Sequence, residues 1–301
     1  MIIEKTIKER LNLSLGKKEE HALRTLRIFY SHIKVNGQIY ISFSGGKDST
    51  VLLHLVRRQF PDTVAVFCDT GLEFPEIKEF VKTIDDVEII KPTKTFKEVI
   101  ENYGFPYPSK EQAEYIEQIK TAKSQKTIDL RMNGNENGSY KLSEKYKYLI
   151  ETGFKISAKC CNYLKKNPFK KYEKLTNKKA VIGTKLNDSN LRHNQYVRHG
   201  CNSFDTQRIC SKPLSIWTDN DIWDYIQKYN LPYSDIYNKG YNRTGCIFCL
   251  FGINQEKEPN RLQMLQKTHP KLYNYVINKL GYKEFLECCK IPYKNLQMDL
   301  F

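Results

Sequence analysis

The sequence predicts an α/β fold: a parallel sheet flanked by helices, followed by a helical or irregular C-terminal segment rich in cysteine. Three observations carry this. Short apolar runs alternate with amphipathic runs at helical spacing, the pattern of strands joined by crossover helices. One of them, residues 63–69 (TVAVFCD), is a continuous apolar run, as a parallel strand buried on both faces must be. Residues 44–49 (SGGKDS) set two glycines between a strand-like and a helix-like run.

The elements follow in order. Leu23, Leu26, Tyr30 and Ile33 recur at helical spacing and predict a helix over residues 17–35. Residues 38–43 make the first strand, a helix follows over 49–58, and residues 63–69 make the second strand. Pro75 opens a helix at the position where a proline's missing N–H costs nothing. Residues 87–90 read as strand, 96–103 as helix and 179–183 (KAVIG) as strand. Residues 108–150 break the alternation. They are polar, and RMNGNENGSY at 131–140 predicts an inserted helix followed by a mobile loop. Thr218 caps a helix, with Asp221 at its third position as a relative of the capping box. Trp217 and Trp223 are expected in the core, and residues 282–289 read as helical.

The chain has 301 residues and is 40% hydrophobic, enough to bury a sizeable core in one large domain or two modest ones. Its opening MIIEKTIKER lacks the apolar stretch of a secretory signal, and no apolar run is long enough to span a bilayer. The expectation is a soluble, cytoplasmic protein with no membrane partner. Nine cysteines in such a chain point to metal binding or redox chemistry, not to a disulfide framework. The formal net charge is +15. From Lys155 to Lys185 there are ten lysines and one acid, Glu173. Such a stretch suits a nucleotide, pyrophosphate or nucleic acid. A solvated lysine surface is the alternative, since lysine outnumbers arginine 38 to 11.

A strand, a glycine turn and a helix leave the first N–H groups of the helix without partners, and with the helix dipole they favour a phosphate. Gly45 and Gly46 permit close backbone approach or positive φ. Lys47 adds a cation, and Ser44 and Ser49 add hydroxyl donors. The spacing is not that of a Walker A loop, and Asp48 directly after the lysine is foreign to one.

Ser44-Gly45-Gly46-Lys47-Asp48-Ser49 resembles the PP-loop of the adenine nucleotide alpha-hydrolase superfamily. Asp69-Thr70-Gly71-Leu72-Glu73-Phe74-Pro75 resembles the DTG…FPE segment of the phosphoadenosine phosphosulfate (PAPS) reductase family. The runs at 212–237 (KPLSIWTDNDIWDYIQKYNLPYSDIY) and 243–252 (RTGCIFCLFG) continue the likeness, which covers most of residues 38–252. The resemblance implies a Rossmann-like nucleotide-binding domain over 37–215 with an insertion at about 108–150. A helical extension would precede it over 1–36, and a helical segment carrying part of a metal site would follow over 216–301. It also implies an adenine nucleotide at the carboxyl ends of the strands, ATP or a sulfonucleotide, with Mg2+ as a further candidate. The loop would hold phosphates, with Lys47 and Asp48 in catalytic roles. Asp69 and Thr70 would line the adenosine side, and Gly183, Thr184 and Lys185 would close the pocket. Arg192 and Arg243 are candidates for a second anionic group.

Cys160-Cys161 and Cys246-x-x-Cys249 are two thiol pairs that can make a tetrahedral zinc site or hold a [4Fe–4S] cluster. The pairing resembles the CC…CxxC pattern of cluster-bearing adenosine phosphosulfate (APS) reductases and related sulfur-transfer enzymes, which implies the cluster, with zinc as runner-up and uncoordinated thiols last. Lys159 and its neighbours would offset the cluster's negative charge. Cys68 is expected in the core, and Cys201 and Cys210 are expected to be structural. Reductases of this family carry a nucleophilic cysteine in a Glu-Cys-Gly-x-His motif. Here Glu287-Cys288 is followed by Cys289-Lys290-Ile291, without the glycine and histidine, so Cys288 is either that nucleophile or an inert helix end. The six histidines form no metal or catalytic pattern; His193 and His199 read as exposed loop residues.

Three functions follow. The first is ATP-dependent sulfur transfer by adenylation, with tRNA or DNA bound through the Lys155 to Lys185 stretch and a sulfur or electron donor protein as partner. The second is a PAPS or APS reductase that releases sulfite. The third is a metal-stabilised nucleotide-binding module without catalysis.

Overall fold

Three of the strands form on the largely buried apolar runs at 39–43, 65–68 and 179–182. The computed structural model describes residues 2–33 and 38–295. Residues 34 and 35, which end the predicted helix over 17–35, lie outside the described residues, as do residues 1 and 36 of the expected N-terminal extension. In chain order the helices are α1 (Ile2–Leu11), α2 (Leu15–Ile33), α3 (Lys47–Gln59), α4 (Pro75–Lys82), α5 (Phe96–Tyr103), α6 (Lys110–Thr121), α7 (Gln125–Asn133), α8 (Asn167–Thr176), α9 (Asn190–His199), α10 (Asp219–Lys228), α11 (Arg261–Thr268), α12 (Pro270–Lys279) and α13 (Tyr282–Cys288). The strands are β1 (Ile39–Phe43), β2 (Ala65–Cys68), β3 (Val87–Ile90), β4 (Lys179–Ile182), β5 (Asn202–Ser203) and β6 (Cys210–Ser211). Among the described residues no helix is long and apolar enough to cross a membrane.

The chain divides into two units. One comprises the described residues of Met1–Asp69, Glu73–Lys91 and Pro168–Thr244. It holds one six-stranded sheet in the order β3-β2-β1-β4-β6-β5. Neighbours are parallel, with Ile41 opposite Ala65 and Ser42 opposite Ile182, except that β5 runs antiparallel to β6. Tyr40, Ile41, Ala65, Val66, Ala180 and Val181 are fully buried, as are Val51, Leu52, Leu55 and Val56 of α3. Each large apolar side chain buried this way contributes about 1.5–3 kcal/mol. Cys68 and Cys210 belong to this core. Trp217 is fully buried too. Trp223 is not; it is half-buried, with its ring edge-on to Tyr233 and Tyr237. The predicted cap at Thr218 forms as a full capping box: Thr218 N–H donates to Asp221 Oδ2 at 2.6 Å, and Asp221 N–H donates to Thr218 Oγ1 at 3.2 Å. The same carboxylate takes buried Lys18 at 2.6 Å. His193 and His199 are helical residues of α9 and not loop residues.

The other unit comprises the described residues of Thr70–Leu72, Pro92–Asn167 and Gly245–Phe301. It is helical, around Tyr282, Phe285 and Leu286 of α13, all fully buried, with Phe285 stacked on Phe105 at 4.2 Å. Residues 108–150 form two helices, α6 and α7, and a 3-10 helix (Glu144–Ile150), more structure than the single predicted helix. Of the stretch 131–140, residues 131–133 end α7, and the loop that follows is hydrogen-bonded. Ser139 N–H donates to Asn135 Oδ1 at 2.8 Å, and Arg131 donates to the Tyr140 carbonyl at 3.1 Å.

Candidate functional site

The strand order places a switch point between β1 and β4. From β1 the chain passes to β2 and β3 on one side, while β4 and β6 lie on the other. Loops after β1 and β4 therefore diverge at the carboxyl edge, the place where open α/β sheets bind ligands. The first of these loops is residues 44–46, and the second begins at Gly183.

The turn is built for close approach. Gly45 sits at φ +70°, and a Cβ there would lie 2.8 Å from Ile77 and 2.9 Å from Val81 of α4, so only glycine fits. Gly46 is the extended N-cap residue of α3, and a Cβ on it would lie 2.6 Å from Thr244 Oγ1. Ser44 and Ser49 close the turn through their hydroxyls, 3.1 Å apart, and Ser49 Oγ donates to the Gly46 carbonyl at 2.8 Å. The Lys47 N–H donates to the Tyr237 hydroxyl at 2.7 Å. Lys47, Asp48 and Ser49 form the first turn of α3, where helical geometry leaves backbone donors without helical acceptors.

Two lysines meet at this edge. Lys47 and Lys185 have side chains only 4% exposed. Lys185 Nζ lies 2.5 Å from Asp48 Oδ1, 3.1 Å from Asp219 Oδ1 and 3.6 Å from Asp188 Oδ1. Lys47 Nζ lies 2.7 Å from the same Asp219 oxygen and 3.6 Å from Asp48 Oδ1. Burial pulls the Lys185 ammonium down, but Asp48, then Asp188 and Asp219, outweigh it and hold it above the ordinary lysine range. Burial pushes the Asp219 carboxyl up, and hydrogen bonds from Lys47 and Lys185 overcome it and bring it down to about 2. The structure thus brings together Ser44, Gly45, Gly46, Lys47, Asp48, Ser49 and Lys185. Sequence reasoning missed Asp188, Asp219 and Tyr237. Asp219 and Tyr237 stand 172 and 190 residues from Lys47, and nothing local marks them.

The other expected residues fall as follows. Asp69 follows β2 and pairs with Lys78 at 2.7 Å. Thr70 is buried and accepts the Leu72 N–H through its hydroxyl at 3.2 Å, in the second unit. Gly183 and Thr184 line the turn after β4. Arg192 is bonded to Asp188, and Arg243 is 70% exposed, 3.8 Å from Asp188. A small cleft beside Lys185 is lined by Thr184, Arg192, Gln195, Lys212 and Ser215, among others.

The four paired thiols lie in the second unit. Cys160 is pushed well up by its hydrogen bond to Cys161, by burial and by the nearby Cys161, Cys249 and Cys246. Cys161 is pulled down, first by that hydrogen bond and then by Lys110 and Lys165, against its burial. Burial and then Cys246 push Cys249 up to about 11. The four cysteines therefore lie near enough to influence one another's ionisation. Among the described residues no three His, Cys, Asp or Glu side chains close to the spacing of a single metal ion. Behind them, Tyr282 donates to the Phe248 carbonyl at 2.6 Å, and Arg261 donates to the Cys249 carbonyl at 2.9 Å. Of Lys159 and the neighbouring lysines expected to offset the charge at the thiols, Lys159 is paired with Glu117, and Lys165, together with Lys110, acts on Cys161. A four-thiol donor set with two adjacent cations fits an iron–sulfur cluster.

None of the nine cysteines is in a disulfide. Cys288 is the last residue of α13, at the carbonyl end of the helix, the pole that disfavours negative charge. Cys289 is buried, and burial pushes it up to about 12 against the Tyr148 hydrogen bond that lowers it. In the basic stretch Lys155, Lys166, Lys170, Lys171 and Lys174 are exposed, whereas Lys178 pairs with Glu88 at 3.7 Å and Lys185 is buried.

Fold and site together define an open, mostly parallel α/β sheet with a glycine turn and two buried lysines at its switch point. The phosphoadenosine phosphosulfate reductase domain model matches residues 38–133 and 107–250, well over half of the chain, and the chain belongs to that family. It is 24% identical over 249 residues to an adenosine 5'-phosphosulfate reductase of Bacillus cereus, covering 82% of this chain and 88% of that protein. It is 25% identical over 283 residues to an uncharacterised protein of Methanocaldococcus jannaschii, covering 90% of this chain but only 55% of that protein. Among solved structures, phosphoadenylyl-sulfate reductase from Candida auris aligns with a TM-score of 0.45 at 16% identity, over 81% of this chain and 93% of that one.

Proposed function

We propose that the chain is an ATP-dependent sulfur-transfer enzyme that adenylates its acceptor, with a nucleic acid as the acceptor class. The carrying observation is the pair of buried lysines beside the glycine turn at the switch point, a site matched to a chain of phosphates. The Asp48 and Ser49 N–H groups in the first turn of α3 would take phosphate oxygens, the Lys47 N–H being held by the Tyr237 hydroxyl, and Lys47 and Lys185 would offset their charge, with Mg2+ as a companion of the nucleotide. An acceptor oxygen attacks the α-phosphorus; the new P–O bond forms as the bond to the β-phosphate bridging oxygen breaks, and pyrophosphate leaves with that electron pair. Lys47 and Lys185 stabilise the charge that builds on the leaving group. A sulfur nucleophile from a donor protein then displaces AMP from the acceptor.

Cys160, Cys161, Cys246 and Cys249 would hold a [4Fe–4S] cluster, which supplies a site for binding sulfur. The exposed lysines of α8, Lys170, Lys171 and Lys174, suit a nucleic-acid backbone. Buried Cys289, and Cys288 at a helix carbonyl end, argue against a C-terminal nucleophile. The second reading, a sulfonucleotide reductase, is favoured by the Bacillus cereus relative. Anaerobic protein assayed side by side with ATP, APS and PAPS separates the readings. Pyrophosphate from ATP supports the first, and sulfite from APS or PAPS supports the second. Tight nucleotide binding with neither product supports a non-catalytic module.

A further inference from the structure

We propose that Asp219 is a built-in competitor for the anionic ligand: its carboxylate bridges the two lysines that would take phosphate, and a polyanion binds by displacing it. The proposal rests on the phosphate reading of the site given above.

The geometry singles out Asp219 among the carboxylates on these lysines. One of its oxygens lies 2.7 Å from Lys47 Nζ and 3.1 Å from Lys185 Nζ. Its side chain is 54% exposed, against 31% for Asp48 and 13% for Asp188, while both lysines are 4% exposed. Asp188 is anchored, since its Oδ2 accepts the Lys185 N–H at 3.0 Å and it also bonds Arg192. Asp48 is less exposed than Asp219 and its Oδ1 lies closer to Lys185 Nζ, at 2.5 Å against 3.1 Å. The side-chain hydrogen bonds of Asp219 go to the two lysines. Helix α10 does not need it for capping, because Thr218 and Asp221 close that end. Asp219 can therefore turn into solvent without breaking the helix or the sheet edge.

Its presence has a consequence for selectivity. Lys47 and Lys185 are matched by Asp48 and Asp219, and Asp188 is matched by Arg192, so these six groups sum to zero charge. A ligand with one negative charge offers the lysines no more than Asp219 already does. A diphosphate or triphosphate offers several oxygens and more charge, and displaces it. Asp219 thereby sets a threshold of ligand charge at the site.

The test is isothermal titration of wild type and Asp219→Asn with sodium pyrophosphate and with ATP, at low and at high sodium chloride. Asn keeps the shape and removes the charge. The expected result is that Asp219→Asn binds both probes about fivefold more tightly at low salt, roughly 1 kcal/mol at 1.4 kcal/mol per tenfold, and that the gain shrinks at high salt. Equal or weaker binding by a folded Asp219→Asn, with wild type binding normally, would overturn the proposal and make Asp219 a support of the lysines. If wild type binds neither probe, the phosphate reading itself fails and the proposal with it. Lys185→Gln serves as the second variant: it should bind more weakly than wild type, which shows that the site titrated is this one.

Discussion

Replacing Gly45 by alanine tests whether the turn is held by its packing on α4 or merely tolerated there. Two costs add at this position. The φ of +70° is strained for any residue with a Cβ, about 1–2 kcal/mol. The new Cβ would also lie 2.8 Å from the Ile77 Cγ2 methyl and 2.9 Å from that of Val81, and overpacking a filled interior costs about 1–3 kcal/mol. The expected loss is therefore about 2–5 kcal/mol. Gly200 is the internal control, because its φ is +62° but nothing lies within 4 Å of an added Cβ. Gly200→Ala should lose only the backbone share, about 1–2 kcal/mol. Both tryptophans of the chain lie in the sheet-bearing unit, so urea unfolding followed by tryptophan fluorescence reports the right unit. If Gly45→Ala and Gly200→Ala fall within about 0.5 kcal/mol of each other, with equal denaturant slopes, the close packing of the turn on α4 contributes nothing and the reasoning is refuted.

Other outcomes follow from the thiols. Cys289, pushed up to about 12 from an ordinary value of 9.0, should react with iodoacetamide roughly 30- to 60-fold more slowly than an ordinary thiol at pH 8, its smaller thiolate fraction being partly offset by greater thiolate nucleophilicity; mass spectrometry of the native protein would locate the label, and rapid labelling of Cys289 would contradict its placement. Because the folded value is raised, the stabilisation linked to Cys289 is present below about pH 9 and is lost as pH rises toward 12. A Cys289→Ser variant should lose the extra alkaline sensitivity of wild type in that window. For the proposed cluster, Cys246→Ala purified anaerobically should lose bound iron, whereas Cys68→Ala, altered in the core of the sheet, should keep it. Iron retained by Cys246→Ala, or zinc in its place in wild type grown with iron, would remove the cluster from the account.

The legible parts of the fold were those that local chemistry dictates. Strands β1, β2 and β4 announce themselves because a parallel strand covered on both faces is apolar through its centre, whereas β3 (VEII) is an edge strand with Glu88 and Ile89 exposed, legible from its β-branched residues. Bounds for β3 and α5 match the sequence reading, since Thr95 and Glu98 form a capping box at the start of α5 and Gly104 ends it. The helix after the turn begins at Lys47 and not at Ser49, because Gly46 is already the extended cap. Strands β5 and β6 are two residues each, too short for periodicity to register. At the site, SGGKDS was visible as a contiguous run, and Lys185 followed from the end of a strand. Asp188, Asp219 and Tyr237 were not visible. Asp188 reaches the turn because β4 lies beside β1, and Asp219 and Tyr237 reach it from the helix and the 3-10 turn that follow β6, which pairs with β4. The polar stretch at 131–140 looked mobile because its Asn, Gly and Ser residues favour loops. The same side chains bond back to their own backbone, as Asn135 does here.

The most direct measurement is equilibrium binding of ATP to the anaerobically purified protein, compared with Gly46→Val. A Cβ at Gly46 would crowd Thr244 Oγ1 at 2.6 Å and Tyr237 Oη at 3.2 Å, closing the approach to the N-terminus of α3. Lys185→Gln, which removes a buried cation and leaves the turn intact, is the parallel variant. The account predicts one saturable ATP site in wild type, weakened at least about tenfold, or 1.4 kcal/mol, in each folded variant. Unchanged ATP affinity in folded Gly46→Val and Lys185→Gln would contradict the claim that the glycine turn and its lysines bind the phosphates.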